Sequence, residues 1–303
     1  MLICCGARFM SNMRQIILKS VKNLSVWEHA GTRAPHKPLL ILLGLARITQ
    51  GYDRLATFGD LEKLLRHLLQ SYGPPRKSVH PEYPFWWLQS DKLWEVPNSS
   101  SLIRRLGGNS PLKSELLKKN VMGGFPENIY HAFNRDRRFV DRIARMLLDA
   151  HFPESLHEDI LADIGLYLSS RSHKRDSQFR LNVIRAYEHR CAICGYDLKI
   201  GYSDLALEAA HIKWHQAGGP DEVQNGLALC AIHHKALDRG AIGLTDNLTV
   251  LISSDIHGQS WMLEWFGSFI GKRISSPSRS EWTPKPEHIQ WHANQVFRWP
   301  AKD

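Results

Sequence analysis

The residues whose types and spacing could do chemistry crowd into one stretch of the 303-residue chain. Cys191-Ala-Ile-Cys194 and Cys230-Ala-Ile-His233 repeat the same two-residue gap. Each pair can deliver two ligands from one tight turn, which is the spacing of a tetrahedral zinc site. Cys191, Cys194, Cys230 and His233 are therefore the expected ligands of a structural Zn2+, which would staple a region with little core of its own. Between and beside these pairs lie Glu208, His211, Asn225, His234 and Asp238. If the chain is helical from about Ala231, His234 and Asp238 share a face at i and i+4 and can grip one divalent metal together. The two remaining cysteines, Cys4 and Cys5, receive no role. Five cysteines placed this way do not make a secreted disulfide framework.

Periodicity suggests the elements that must position these groups. Leu205–Ile212 reads as a strand that ends on His211, followed by the polar loop Gly218–Asn225 and a short helix from about Ala231. A helix over Phe179–Tyr187 precedes the first cysteine pair. Further upstream, Pro38 followed by Leu39–Ala46 reads as a buried helix with proline in its first turn. Leu61, Leu64, Leu65, Leu68, Leu69 and Tyr72 form one amphipathic face, stopped by Gly73-Pro74-Pro75. Phe139, Ile143, Met146, Leu147 and Ala150 form another, and short extended pieces are expected near 83–96. The tryptophans of the tail, Trp261, Trp265, Trp282, Trp291 and Trp299, read as packing residues.

The order His, Asn, His around a Cys-x-x-Cys pair resembles the HNH nucleases, a strand–strand–helix fold built round a metal. The text that carries the likeness is Glu208-Ala-Ala-His-Ile212, Gly219-Pro-Asp-Glu-Val-Gln-Asn-Gly-Leu-Ala-Leu-Cys230 and His233-His-Lys-Ala-Leu-Asp-Arg-Gly240, within 178–245. The resemblance implies that His211 is the general base for water attacking a phosphodiester, a task that suits neutral imidazole. It implies that His234 is the first ligand of a catalytic Mg2+, Mn2+ or Co2+. Asn225 would either bind that metal or hold the loop that orients His211. Many members have an acidic ligand immediately before the first His, where this chain has Ala210, so the carboxylate ligand falls to Glu208 or Asp238.

Charge divides the chain. Residues 1–150 hold 23 Lys+Arg against 12 Asp+Glu, whereas 151–303 hold 16 against 18, so the net charge of +9 belongs wholly to the first half. A basic half joined to a near-neutral half points to a module that binds a polyanion and a second module with a separate task. Two basic clusters stand out, Arg33-Ala-Pro-His36-Lys37-Pro38 and Pro74-Pro-Arg76-Lys77-Ser78-Val-His80-Pro-Glu-Tyr83-Pro84-Phe85. From spacing alone they fit equally a phosphate-contacting rim round an apolar pocket or a core with solvated cations beside it.

Together with Gly123-Gly124-Phe-Pro126, these clusters resemble the sulfur-binding domain of phosphorothioation-dependent restriction endonucleases over roughly 14–168. The resemblance implies a pocket of Tyr83, Pro84 and Phe85 with His80 and His36 beside it. It implies that Arg33, Lys37, Arg76, Lys77, Ser78, Gly123 and Gly124 approach the DNA. The chemistry is consistent: phosphorothioate keeps its charge, and a larger, softer sulfur loses less than oxygen on entering an apolar pocket.

The expectation is an α+β chain: a disordered leader 1–13, a mainly helical reader domain 14–168, a linker 169–177, and a zinc-stapled ββα-metal nuclease domain 178–303 with a Trp-rich extension. Its partner is double-stranded DNA carrying phosphorothioate, and its activity is metal-dependent endonucleolytic hydrolysis for defence. Two alternatives stay open: an HNH nuclease that reads another mark such as a methylated base, and a catalytically silent regulator. A double-strand cut needs two active sites or two visits, which fits a homodimer. The 43% hydrophobic and 23% charged residues are those of a globular protein. The longest apolar run, Pro38–Ala46, is too short for a membrane span, and Met1–Arg8 lacks the pattern of a signal peptide, so a cytoplasmic chain is expected.

Overall fold

The computed structural model describes residues 2–26, 28, 29, 32, 33, 35–97, 99–105, 108–169 and 177–302, with the side chains of 2–11, 28, 29, 32, 33 and 177 outside that description. The chain forms two compact units, Met1–Phe152 with His157–Ser169, and Pro153–Leu156 with Ser170–Asp303.

The first unit is mainly helical: α1 (Leu2–Lys22), β1 (Glu28–His29), β2 (Thr32–Arg33), α2 (His36–Thr49), β3 (Leu55–Thr57), α3 (Phe58–Tyr72), α4 (Glu82–Trp87), α5 (Lys113–Lys118), β4 (Met122–Gly124), α6 (Glu127–Asn134), α7 (Arg137–His151) and, from His157 on, α8 (Glu154–Ile164). Helix α2 is central because Leu39–Ala46 is apolar all round, and every one of those residues is buried. Helix α3 begins in a capping box. Thr57 Oγ1 accepts from the Asp60 amide at 3.1 Å, and the Asp60 carboxylate accepts from the Thr57 amide at 3.3 Å. Helix α7 begins at Asp136, which caps the Phe139 amide at 3.2 Å, and buries Phe139, Ile143 and Leu147. A ladder of rings, Phe58–Phe85–Trp94–Phe125–Phe133–Phe139, runs through the core with centroids 5.1–6.0 Å apart. Each fully buried phenylalanine in it contributes about 1.5–3 kcal/mol by removal from water.

Two expectations are corrected here. The leader expected to be disordered is helix α1, whose buried Met13, Ile17 and Val21 recur at i, i+4 and i+8 and fix it to the core. Of the extended pieces expected near 83–96, the first part is instead helix α4 and a 3-10 turn, Leu88–Asp91, and only Glu95 is extended, bridging antiparallel to Gly124. Pro81 and Pro84 occupy the N-cap and first turn, where missing amide hydrogens cost no intrahelical bond.

The second unit contains α9 (Ser177–Ala186), β5 (Lys199–Ile200), β6 (Ser203–Asp204), β7 (Leu207–His211), β8 (Gly226–Cys230), α10 (Ala231–Asp238), β9 (Ile242–Leu244), β10 (Val250–Ile252), α11 (Ser260–Gly267) and α12 (Pro286–Gln295). Its centre is strand–strand–helix. β7 and β8 pair antiparallel, with Leu207 opposite Cys230 and His211 opposite Gly226, and α10 follows β8 directly. This register sets His211 at the end of one strand and carries Cys230, His233 and His234 into the start of the helix. α9 covers the pair with the buried Phe179, Val183 and Ile184. Most of the linker expected at 169–177 lies outside the described residues.

Candidate functional site

The thiols of Cys191, Cys194 and Cys230 and a ring nitrogen of His233 all lie within 4.8 Å of one another. Cys191 Sγ and Cys230 Sγ stand 3.5 and 3.3 Å from His233 Nδ1, and Cys194 Sγ stands 4.0 Å from Cys230 Sγ. A tetrahedral ion with metal–sulfur bonds of about 2.3 Å and metal–nitrogen bonds of about 2.0 Å separates its ligands by roughly 3.5–3.8 Å. The cluster therefore fits a tetrahedral metal. Hydrogen bonds from Cys194 and Cys230 pull the Cys191 thiol far below its ordinary pKa. Burial opposes a charged His233, but hydrogen bonds to Cys191 and Cys230 outweigh it and raise the imidazole to about 9. Trp265 stacks on His233 with centroids 5.1 Å apart, and Phe266 and Phe269 close round the ring. Part of the Trp-rich tail thus walls the metal-binding cluster.

Beside His233 on α10, His234 meets two carboxylates. Glu208 Oε2 is 2.7 Å from its Nδ1, and Asp238 Oδ2 is 3.2 Å from its Nε2. Burial disfavours a charged ring, yet Asp238 and then Glu208 prevail and push the His234 pKa up to about 10. The two acids engage opposite ring nitrogens, so only Asp238 shares a corner with Nε2. Glu208 instead fixes the ring from behind.

His211 lies flat on Phe179, with centroids 3.9 Å apart and planes 10° apart. Burial lowers its pKa, partly offset by the hydrogen bond to Asp221, whose Oδ1 stands 2.8 Å from His211 Nε2. His215 Nδ1 lies 3.5 Å from that same Asp221 oxygen. Asn225 is fully buried and its amide is spent on the loop. Its Oδ1 accepts from the Lys213 amide at 2.8 Å, and its Nδ2 donates to the Lys213 and Pro220 carbonyls at 2.9 and 3.0 Å. Of the two roles open to Asn225, this geometry matches the loop holder. Gly219 is required in that loop, since a Cβ there would sit 1.9 Å from the Lys213 carbonyl oxygen. Asp221 was not singled out from sequence, although it stands in the quoted Gly-Pro-Asp text; only the folded loop brings it to His211.

In the first unit the structure sorts the candidate reader residues into a surface cluster and a supporting core. Arg76, Lys77 and Ser78 are exposed. Ser78 Oγ lies 3.0 Å from His80 Nε2, His80 Nδ1 lies 3.0 Å from the buried Glu82, and His80 stacks on Tyr83 at 4.8 Å. Arg105, absent from the sequence reading, completes this cluster. It donates to Tyr83 Oη at 2.6 Å and to Glu82 Oε1 at 2.9 Å, with its guanidinium over the Tyr83 ring. No local motif marks Arg105, because its partners lie more than twenty residues away. Burial, with Arg76 and His80 adding like charge, lowers the His36 pKa to about 4.

The others are built inward. Phe85 has no exposed surface and Pro84 is buried. Lys37 is tied to Asp91 at 2.6 Å and to Ser25 at 2.7 Å, an internal ion pair. Gly123 and Gly124 lie on β4, where a Cβ would strike Phe85 and Trp94 at 2.7 Å or the Arg54 carbonyl at 2.1 Å. Their smallness serves core packing. Arg33 ends β2, and its side chain lies outside the description.

Comparison with known proteins agrees with this division. Residues 14–169 match the ScoMcrA-like DNA sulfur-binding domain, and residues 191–245 match the HNH endonuclease family HNH_2. Among solved structures, the sulfur binding domain of ScoMcrA complexed with phosphorothioated DNA is 23% identical, with a TM-score of 0.43 over 49% of this chain and 94% of that one. The sulfur binding domain of SprMcrA complexed with phosphorothioated DNA is 22% identical, with a TM-score of 0.45 over 51% of this chain and 94% of that one. The modification dependent TagI restriction endonuclease is 25% identical, with a TM-score of 0.29 over 43% of this chain and 41% of that one. No curated protein matches. Among the described residues no helix is long and apolar enough to cross a membrane. Because the first match spans more than half of the sequence, this chain belongs to the family of ScoMcrA-like DNA sulfur-binding domains, joined here to an HNH endonuclease domain.

Proposed function

We propose that this protein is a modification-dependent restriction endonuclease that binds phosphorothioated DNA through its first unit and hydrolyses a nearby phosphodiester at His211. The observation that carries this reading is the union, in one chain, of a sulfur-binding domain with an HNH domain whose strand–strand–helix centre carries His211 at the end of one strand and His234 with Asp238 on the helix.

Burial keeps His211 neutral near pH 7, so it can accept a proton. The oxygen of a water molecule bonds to phosphorus, its proton passes to His211, and the P–O3′ bond breaks. His234 Nε2 and Asp238 fit a divalent cation as hard and borderline donors, and Glu208 sets the ring by holding Nδ1. When bound, such a cation supplies charge stabilisation for the phosphate and the departing oxygen. Asn225 shapes the loop beside His211. The Cys191, Cys194, Cys230 and His233 cluster would hold Zn2+ as a structural ion, which its thiolate-rich donors suit.

In the reader, Tyr83 with His80 and Arg105 forms the pocket for sulfur, and Arg76 and Lys77 hold neighbouring phosphates. A phosphate oxygen, with its tighter hydration, would be desolvated against this part-buried cluster at greater cost than sulfur.

The test is a binding and cleavage comparison on matched plain, methylated and phosphorothioated duplexes with Mg2+, Mn2+ or Co2+. Selective binding and cutting of the sulfur-bearing duplex is expected. Equal treatment of all three removes the reader assignment, preference for the methylated duplex establishes the alternative mark, and binding without cutting under every metal establishes the regulator.

A further inference from the structure

Asp221 lies outside every role assigned above, yet its carboxylate meets the ring of His211 at 2.8 Å. Its position is built. Asn225 clamps the Lys213 and Pro220 carbonyls, and Gly219 lets the loop close over Lys213, so the next turn delivers Asp221 to β7. On the other side Phe179 fixes the plane of the ring. Among the described residues His211 Nδ1 makes no hydrogen bond to the chain.

An ionised carboxylate can only accept, so the His211 nitrogen that faces it, Nε2, must carry the hydrogen. A neutral imidazole then has its lone pair on Nδ1. Which nitrogen of a histidine is protonated is set by the bond the other one makes. We propose that Asp221 is the positioning residue of the nuclease: it locks His211 in the Nε2–H tautomer and leaves Nδ1 as the atom that takes the proton from water. The inference rests on His211 being the base. The charged and titratable groups round the ring among the described residues are Asp221 and His215 from the loop and Asp238 from α10, while α9 contributes the apolar Phe179.

The same three residues, His211, His215 and Asp221, have ligand atoms within 4.8 Å of one another. A metal ion there would occupy the ring instead, and the test separates the two. Full-length protein with isotope-labelled histidine is studied by NMR as wild type, Asp221→Asn and Asp221→Glu. Cleavage of a phosphorothioated duplex is measured on the same samples. The expected result is a pure Nε2–H tautomer at His211 in the wild type and in Asp221→Glu, and a mixture in Asp221→Asn. Asp221→Asn should also lose roughly tenfold in kcat with KM within about twofold, a part of the 10²–10⁴-fold that the base itself supplies. An unchanged tautomer in Asp221→Asn, or a loss confined to KM, overturns the proposal. So does stoichiometric Zn2+ uptake that shifts His211 and His215 together. If the wild type cuts no DNA at all, the nuclease reading fails, whereas the tautomer still decides the Asp221–His211 pair.

Discussion

Lys37 stands in a basic cluster of the reader domain, and replacing it separates two kinds of cation. Its side chain is only 14% exposed, and that of Asp91 is 7% exposed. Lys37 Nζ meets Asp91 Oδ2 at 2.6 Å and Ser25 Oγ at 2.7 Å, and Ser25 donates to Asp91 Oδ1 from its amide and its hydroxyl, each at 2.9 Å. The network ties α2 to the end of the 3-10 turn that follows α4. Lys37→Met keeps the aliphatic stem and removes the charge, leaving Asp91 buried without its counter-ion. Breaking one side of a buried pair costs about 3–5 kcal/mol. For a unit of this size about 2–4 °C is lost per kcal/mol, so its melting temperature should fall by roughly 6–20 °C. Lys37→Met combined with Asp91→Leu should recover most of that loss, because the orphaned charge is gone. The assays are thermal unfolding and affinity for phosphorothioated duplex measured across salt concentrations. A phosphate contact would instead leave the melting temperature unchanged and lower the slope of log affinity on log salt by about 1. That outcome would refute the argument from burial.

The other predictions concern the two sites and their pH dependence. Cys230→Ser should remove a ligand from a site of a kind that contributes about 10–16 kcal/mol in small zinc domains, more than a typical domain's stability of about 5–15 kcal/mol. Elemental analysis should show one fewer bound metal, and the second unit should lose its unfolding transition while phosphorothioated DNA still binds. Arg105→Ala removes the hydrogen bond to Tyr83 Oη and leaves the buried Glu82 with His80 as its partner. Calorimetry should show weaker binding of sulfur-bearing duplex and a reduced preference over plain duplex, whereas Lys77→Ala should weaken both alike. Glu208→Gln should raise the half-saturating concentration of the activating metal by about 10–100-fold, as loss of a ligand's orienting partner does; an unchanged titration would remove Glu208 from that role. His36, held near 4, binds fewer protons folded than unfolded. Its contribution is therefore whole above pH 6.5 and is lost as pH falls towards 4, and chemical unfolding of His36→Gln should lack that slope.

What was legible in the sequence is what depends on neighbours along the chain. Two-residue gaps between ligands fit one tight turn, an i, i+4 pair fits one helix face, and an apolar run fits a buried helix, whatever surrounds them. The metal-binding cluster, the His234–Asp238 pair and helices α2, α3 and α7 follow from such local geometry. The Tyr83–Pro84–Phe85 segment resisted this reading because its prolines suit the first turn of a helix as well as a loop. Only tertiary structure decided how each charge is used. Lys37 and Arg105 are both cations in a basic domain, yet one is consumed by Asp91 in the core and the other turns to Tyr83 and Glu82 at the surface. Asp221 is one acid among several until a buried asparagine folds its loop onto His211. Coulomb attraction and hydrogen bonding act over a few ångströms, and the fold, not the spacing in sequence, sets which groups come that close.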